Sequence, residues 1–151
     1  VDLKPHLVSR LSEIDNVLYI KESSKDVSRV VEIQELCGDR MTVFAGYLPY
    51  ESYAVGADGY VAVCSNIAPK LSSKLFNLIA DDGDIAGGRA LYVKILPLIN
   101  AVAGDLYVSA TKAALKLIGV SAGDPRPPRL PLPNDKNDAL KDVLSKLGLM
   151  P

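Results

Sequence analysis

Apolar residues in the first half of the chain alternate between short continuous runs and positions at helical spacing. The continuous runs are rich in β-branched and aromatic residues, a composition typical of strands buried on both faces. The predicted strands are residues 17–20, 41–45 and 60–64. The predicted helices around them are residues 5–14, 26–37, 49–54 and 69–79. Alternating strands and helices favour right-handed βαβ units and a parallel sheet, and strand starts about 20–25 residues apart are typical of compact α/β barrels.

The strand pattern stops at about Asp84, and the rest of the chain is predicted to be helical. The helices there are residues 91–102, 110–117 and 140–147. Pro97 predicts a kink in the first of them, and the Pro-rich residues 124–131 predict an extended linker. The predicted architecture is therefore an α/β segment of about three βα units over residues 1–83, followed by a C-terminal helical extension over 84–151.

A sheet of only three parallel strands has two unpaired edges. Its continuous apolar runs indicate that both faces of the sheet are buried under other segments. An eight-stranded (β/α)8 TIM barrel normally takes about 250 residues. The pattern therefore predicts that these 151 residues form the latter part of a larger barrel.

Composition excludes several classes of protein. The 151 residues carry 17 Lys and Arg against 18 Asp and Glu, so charge gives no reason to expect a nucleic acid or an anionic membrane as partner. No stretch approaches the ~18 continuous apolar residues of a membrane-spanning helix. Cys37 and Cys64 are predicted to be reduced core thiols, and with a single histidine, His6, they are a poor basis for a zinc site. No signal peptide is visible, which together with the thiols predicts a cytoplasmic protein.

Reactive residues of α/β barrels cluster where the strands end. Lys21, Gly46-Tyr47 and Ser65-Asn66 follow the three predicted strands. A lysine that abuts a buried strand can be desolvated, which favours the neutral amine, and a neutral amine can form a Schiff base with a carbonyl compound. The structural alternative is a lysine at a strand end with its ammonium in water.

Residues 19–26, 44–46 and 56–69 together resemble the latter half of the dihydrodipicolinate synthase / N-acetylneuraminate lyase family. They carry an Ile-Lys-Glu-Ser-Ser block, a Gly-Ala-Asp-Gly block and an Asn-Ile-Ala-Pro block at matching intervals. The Pro-rich tail at residues 125–133 and the last helix fit as well, so the resemblance covers essentially the whole chain.

This resemblance implies the C-terminal part of a (β/α)8 barrel with a helical extension, in a lyase or synthase that cleaves or condenses pyruvate-type 2-oxo acids. It implies that Lys21, at the end of the sixth barrel strand, forms the imine. Gly46, after the seventh strand, matches a glycine whose loop lies against the oxo acid. Val61, in the eighth strand, matches a residue whose backbone lies beside the same ligand. Asn66 and Pro69 match a turn interpreted as structural, and no metal or organic cofactor is implied.

In the family, the first barrel strands carry a carboxylate-binding loop, and a tyrosine after the fifth strand relays protons. Neither motif occurs in this chain. The resemblance therefore implies a missing N-terminal barrel half as a partner. It also implies a homo-oligomer, a dimer of dimers.

One departure leaves the reaction open. Tyr47-Leu48-Pro49 follow Gly46, where synthases of the lysine pathway tend to carry acidic residues. One alternative is a dehydratase or deaminase acting on a sugar- or hydroxyproline-derived 2-oxo acid. Another is a catalytically incomplete half-barrel fragment that needs its N-terminal half.

Overall fold

The computed structural model describes all residues from 1 to 151. The strands are β1 (Tyr19–Glu22), β2 (Thr42–Ala45) and β3 (Gly59–Tyr60). The helices are α1 (Pro5–Leu11), α2 (Ser28–Cys37), α3 (Pro49–Ala54), α4 (Pro69–Phe76), α5 (Ile85–Ala101), α6 (Tyr107–Leu117) and α7 (Asn134–Lys146). The chain divides into two compact units, Val1–Ala62 with Phe76–Gly88 and Val63–Leu75 with Arg89–Pro151.

The first unit contains a parallel sheet in the order β1-β2-β3. β2 is central, and the register places Lys21 opposite Phe44 and Phe44 opposite Gly59. The predicted parallel sheet and the alternation of strands with helices are confirmed.

Helix α2 covers one face of this sheet, and α1 packs on α2. Val30, Ile33 and Cys37 recur at helical spacing along α2 and are no more than 2% exposed. Gly38 follows with a φ of 55°, a left-handed conformation that glycine adopts without steric cost, so the helix ends there as the sequence predicts.

The predicted burial of the first strand on both faces is wrong for this chain. Tyr19 is 66% exposed, and along β1 exposed residues alternate with half-buried ones. The physical reason is that β1 is an edge strand and only the face of Ile20 and Glu22 is partly covered. β1 begins and ends two residues later than predicted. Because it ends at Glu22, Lys21 lies within the strand rather than after it.

The third strand is shorter than predicted. It contains only Gly59 and Tyr60, and the chain turns into a short 3₁₀ helix at Cys64–Asn66. Val61 was placed in this strand and instead lies directly after it. β3 pairs only with β2, and no strand of this chain lies along its other edge.

The second unit contains α6, α7 and most of α5. α6 and α7 pack together, and Ala110, Ala114, Leu140 and Leu144 are no more than 2% exposed. α5 and α7 begin about six residues earlier than predicted, at Ile85 and Asn134, because the residues before each apolar stripe are exposed first turns. The Pro-rich segment between α6 and α7 is not helical, as predicted.

Cys37 and Cys64 are free and buried, which confirms the prediction of two core thiols. By length and composition, no single helix could cross a membrane; one pair bent by 74°, Ile85–Ala101 with Gly104–Leu117, passes the same test only when taken together.

Candidate functional site

The parallel sheet brings the predicted site residues to one edge. Carboxyl ends of parallel strands lie at the same end of a sheet. Lys21 lies near the end of β1, Gly46 follows β2 and Val61 follows β3. The backbone N–H of Gly46 donates to Glu22 O at 2.7 Å, and that of Val61 donates to Ala45 O at 2.9 Å. These two bonds continue the pairing past the strand ends and fix the three residues side by side.

Gly46 lies directly against the side chain of Lys21. A Cβ atom at this position would stand 2.9 Å from Lys21 Cε and 2.9 Å from Glu22 O, and it would overlap the hydroxyl of Ser23. Real Cβ atoms essentially never approach other heavy atoms so closely. Because Glu22 O belongs to the backbone and cannot rotate away, a residue with a Cβ atom at position 46 would displace the backbone here together with the side chains of Lys21 and Ser23.

The face of the sheet that carries Lys21 is built from a row across the three strands. Lys21, Phe44 and Gly59 are register partners, and Tyr19 shares their face because residues two apart on a strand point the same way. The rings of Tyr19 and Phe44 lie 6.2 Å apart. A Cβ atom at position 59 would lie 2.8 Å from the ring of Phe44. Because Gly59 has no Cβ atom, the ring can lie over β3.

The amine of Lys21 makes no ion pair. The ion pairs of the chain join Asp2 to Lys4, and Arg29 to Asp2 and Asp26. Lys21 is exposed in this chain, so the desolvation expected of a lysine beside a doubly buried strand is not provided by these residues alone.

The loop after β1 is ordered by hydrogen bonds between neighbouring residues. The N–H of Ser24 donates to Glu22 Oε1 at 2.9 Å, and that of Asp26 donates to Ser24 Oγ at 3.1 Å. The hydroxyl of Ser28 donates to Asp26 Oδ1 at 2.7 Å and is the main cause that lowers the pKa of the Asp26 carboxyl. The same carboxylate also accepts the N–H of Ser28, the first residue of α2, although the N-cap position itself is Val27.

One contact beside this site, between Lys25 and Tyr47, was not identified from the sequence. The ammonium of Lys25 lies 4.9 Å from the centre of the Tyr47 ring, and both residues are exposed. Lys25 has a φ of 70° and Leu48 a φ of 51°, so both loops contain a left-handed residue other than glycine. The polar run Ser23-Ser24-Lys25-Asp26 signals a turn, but no sequence pattern pairs it with Tyr47.

The turn after β3 contains a local hydrogen bond. The side-chain amide of Asn66 donates to Val63 O at 3.0 Å, and Pro69 is the first residue of α4. No three His, Cys, Asp or Glu side chains come together in a group that could hold a metal ion.

An α/β chain whose parallel strands pair in sequence order has the arrangement of part of an α/β barrel. Comparison with known proteins agrees. Residues 1–147 match the sequence profile described as the Dihydrodipicolinate synthetase family. The chain belongs to this family, whose members are class I aldolase-type lyases and synthases.

Its relatives include two archaeal enzymes named 4-hydroxy-tetrahydrodipicolinate synthase. The one from Methanothrix thermoacetophila is 35% identical over 98% of this chain and 51% of its own length. The one from Archaeoglobus fulgidus is 32% identical over 99% of this chain and 52% of its own length.

Solved structures show the same fold. The chloride-inhibited dihydrodipicolinate synthase of Acinetobacter baumannii, in complex with pyruvate, gives a TM-score of 0.90 at 30% identity, covering 99% of this chain and 52% of that one. A prophage protein of the dihydrodipicolinic acid synthase family from Escherichia coli K12, also with pyruvate, gives 0.84 at 27% identity, covering 98% and 52%. The chain thus spans about half the length of the relatives it matches.

Proposed function

We propose that this chain supplies the imine-forming lysine, Lys21, of a lyase or synthase that cleaves or condenses pyruvate-type 2-oxo acids. The observation that carries the proposal is the contact between Lys21 and Gly46 at the carboxyl edge of the sheet, where a glycine is required for the lysine to fit. The pyruvate bound in two related structures supports the substrate class.

In the proposed reaction, the neutral amine of Lys21 attacks the carbonyl carbon of the 2-oxo acid and a molecule of water leaves. The resulting protonated imine withdraws electrons from the neighbouring carbon. Loss of a proton, or cleavage of a carbon–carbon bond, at that carbon gives an enamine. The enamine adds to an aldehyde or takes up a proton, and water then releases the product and restores the amine.

The other site residues act through their backbones. Gly46 borders the oxo acid from the loop after β2, and the backbone of Val61 lies beside the same ligand. In this proposal, residues 1–83 correspond to barrel strands six to eight with their helices, and residues 84–151 form the helical extension. The carboxylate-binding loop and the proton relay come from an N-terminal barrel half. The assembly is a cytoplasmic dimer of dimers that uses no metal or organic cofactor.

Two alternatives rest on specific observations. Tyr47-Leu48-Pro49 after Gly46 favours a dehydratase or deaminase of a sugar- or hydroxyproline-derived 2-oxo acid. Exposed apolar residues in and beside the edge strands, with Leu18 at 47%, Tyr19 at 66% and Val61 at 49%, favour a fragment that is inactive until an N-terminal half covers them.

Trapping the imine tests the proposal. The full-length protein that carries this chain is treated with pyruvate and borohydride, which reduces an imine to a stable amine, and its peptides are mapped by mass spectrometry. We expect a mass gain on Lys21 that is absent from Lys21→Arg and retained in Lys74→Arg, an exposed lysine of α4. A gain on another lysine, or none with any 2-oxo acid, contradicts the proposal. If Lys21 is labelled in the full-length protein but not in the 151-residue chain alone, the chain is a fragment that is inactive without its N-terminal half.

A further inference from the structure

The charge of Lys25 has no counter-ion in the loop that carries it. Glu22 accepts the N–H of Ser24, and Asp26 accepts from Ser28 and lies 3.9 Å from Arg29. None of the ion pairs of the chain includes Lys25. The ring of Tyr47, at 4.9 Å, holds the ammonium by a cation–π contact, which leaves its hydrogen-bond donors free.

The contact between Lys25 and Tyr47 joins the loop after β1 to the loop after β2. Lys25 keeps a left-handed backbone, a conformation that costs energy for any residue with a Cβ and persists where the surroundings impose it. Tyr47 follows Gly46, which lies against Lys21. The two loops therefore present two lysines without ion-pair partners at the same edge of the sheet.

These observations point to the substrate class. We propose that Lys25 binds a second anionic group, a carboxylate or a phosphate, on the 2-oxo acid that reacts with Lys21. The inference rests on the proposed function, because Lys21 must form the imine for Lys25 to select among its substrates. A 2-oxo acid with a negative charge at its far end would pair with Lys25, whereas one with an apolar end would leave the ammonium in water.

Borohydride trapping at Lys21 tests this inference with matched substrates. The full-length protein is treated with the dianions 2-oxoglutarate and 2-oxoadipate, and with the monoanions 2-oxopentanoate and 2-oxohexanoate, which have the same chain lengths. In at least one pair of equal chain length, we expect the dianion to be trapped on the wild-type protein more efficiently than the monoanion. Lys25→Met should lower this preference roughly tenfold, as expected when a charged hydrogen bond is lost, and Lys25→Arg should keep most of it.

Two controls separate the possible failures. Trapping of each 2-oxo acid is divided by the trapping of pyruvate in the same variant, so that a general change in imine formation cancels, and Lys141→Met, which removes an exposed lysine of α7, should leave every ratio unchanged. If no 2-oxo acid is trapped at Lys21, the proposed function fails and this inference fails with it. If pyruvate is trapped but Lys25→Met keeps the wild-type ratios, this inference alone is overturned.

Discussion

Asp58 and Val43 form a reciprocal pair of hydrogen bonds where β3 begins beside β2. The N–H of Asp58 donates to Val43 O at 3.0 Å, and the N–H of Val43 donates to Asp58 Oδ2 at 2.8 Å. The carboxylate thus replaces the carbonyl that a longer neighbouring strand would supply to β2. The acidic position of the Gly-Ala-Asp-Gly block therefore has a structural role.

Removing this carboxylate should destabilise the first unit. Asp58→Ala leaves the buried N–H of Val43 without an acceptor, and we expect a loss of about 1–3 kcal/mol in the free energy of unfolding. Asp58→Asn keeps an acceptor oxygen and should lose less. Urea unfolding measures both, with the exposed Asp15→Ala as the control. Equal stability of Asp58→Ala and the wild type would show that water replaces the bond at no cost.

Gly46→Ala should displace Lys21. The added methyl group meets Lys21 Cε and the backbone oxygen of Glu22 at 2.9 Å, and the backbone oxygen cannot rotate away. We expect trapping of pyruvate at Lys21 to fall at least roughly tenfold, since small misplacements of a reacting group cost rate steeply. Gly83→Ala is the control, because its φ of 66° makes it strained while its Cβ meets nothing. Similar losses in both variants would assign the effect to general destabilisation.

The anchoring of the N-terminal segment should depend on pH. Two hydrogen bonds from Arg29, at 2.6 and 3.1 Å, hold the pKa of Asp2 well below its usual range. Because the pKa of Asp2 is lowered in the folded state, its ion pair with Arg29 stabilises the folded protein at pH values above the ordinary carboxyl pKa of about 3.9. This stabilisation is lost as the pH falls below that value.

The difference in unfolding free energy between the wild type and Asp2→Asn should accordingly be constant above about pH 5 and shrink towards pH 2. Denaturant unfolding at a series of pH values measures it. Asp15→Asn, which removes a carboxyl group that makes no ion pair, should show no such change. A difference that grows on acidification would contradict the assignment of the bond.

Cys64 should react slowly in the folded protein. Burial raises the pKa of its thiol, with the Ser72 hydroxyl 3.8 Å away offsetting part of the effect, and only 4% of the residue is exposed. Because the thiolate is the reactive form, we expect alkylation by iodoacetamide at neutral pH to be more than roughly tenfold slower than in urea. Mass spectrometry of Cys37→Ser measures the Cys64 rate alone. Fast labelling without denaturant would indicate that this segment opens readily.

Much of the fold followed from local patterns. The parallel pairing of β1 and β2, the end of α2 at Gly38 and the burial of both cysteines all follow from apolar runs, helical spacing and glycine. Burial of β1 could not be predicted in the same way. An apolar run indicates that a strand can be buried. How much of the strand is exposed depends on which other segments pack against it.

The candidate site was predicted unevenly for a similar reason. Lys21 and Gly46 were identified because each occupies the end of a strand within a recognisable block. The close approach of Ser23 to Gly46, and the contact between Lys25 and Tyr47, join two loops that are far apart in the sequence. Such contacts depend on three-dimensional loop paths, and single left-handed residues such as Lys25 leave no compositional signal.

The contact between Lys21 and Gly46 lies wholly within one compact unit. Lys21 and the space that accommodates its side chain therefore belong to one module. Under the proposed function, chimeras that join this chain to the first barrel half of different relatives should present Lys21 in the same way, and the reaction of each chimera should follow the exchanged half. Exchange of that half is then a route by which reactions diverge around one constant lysine.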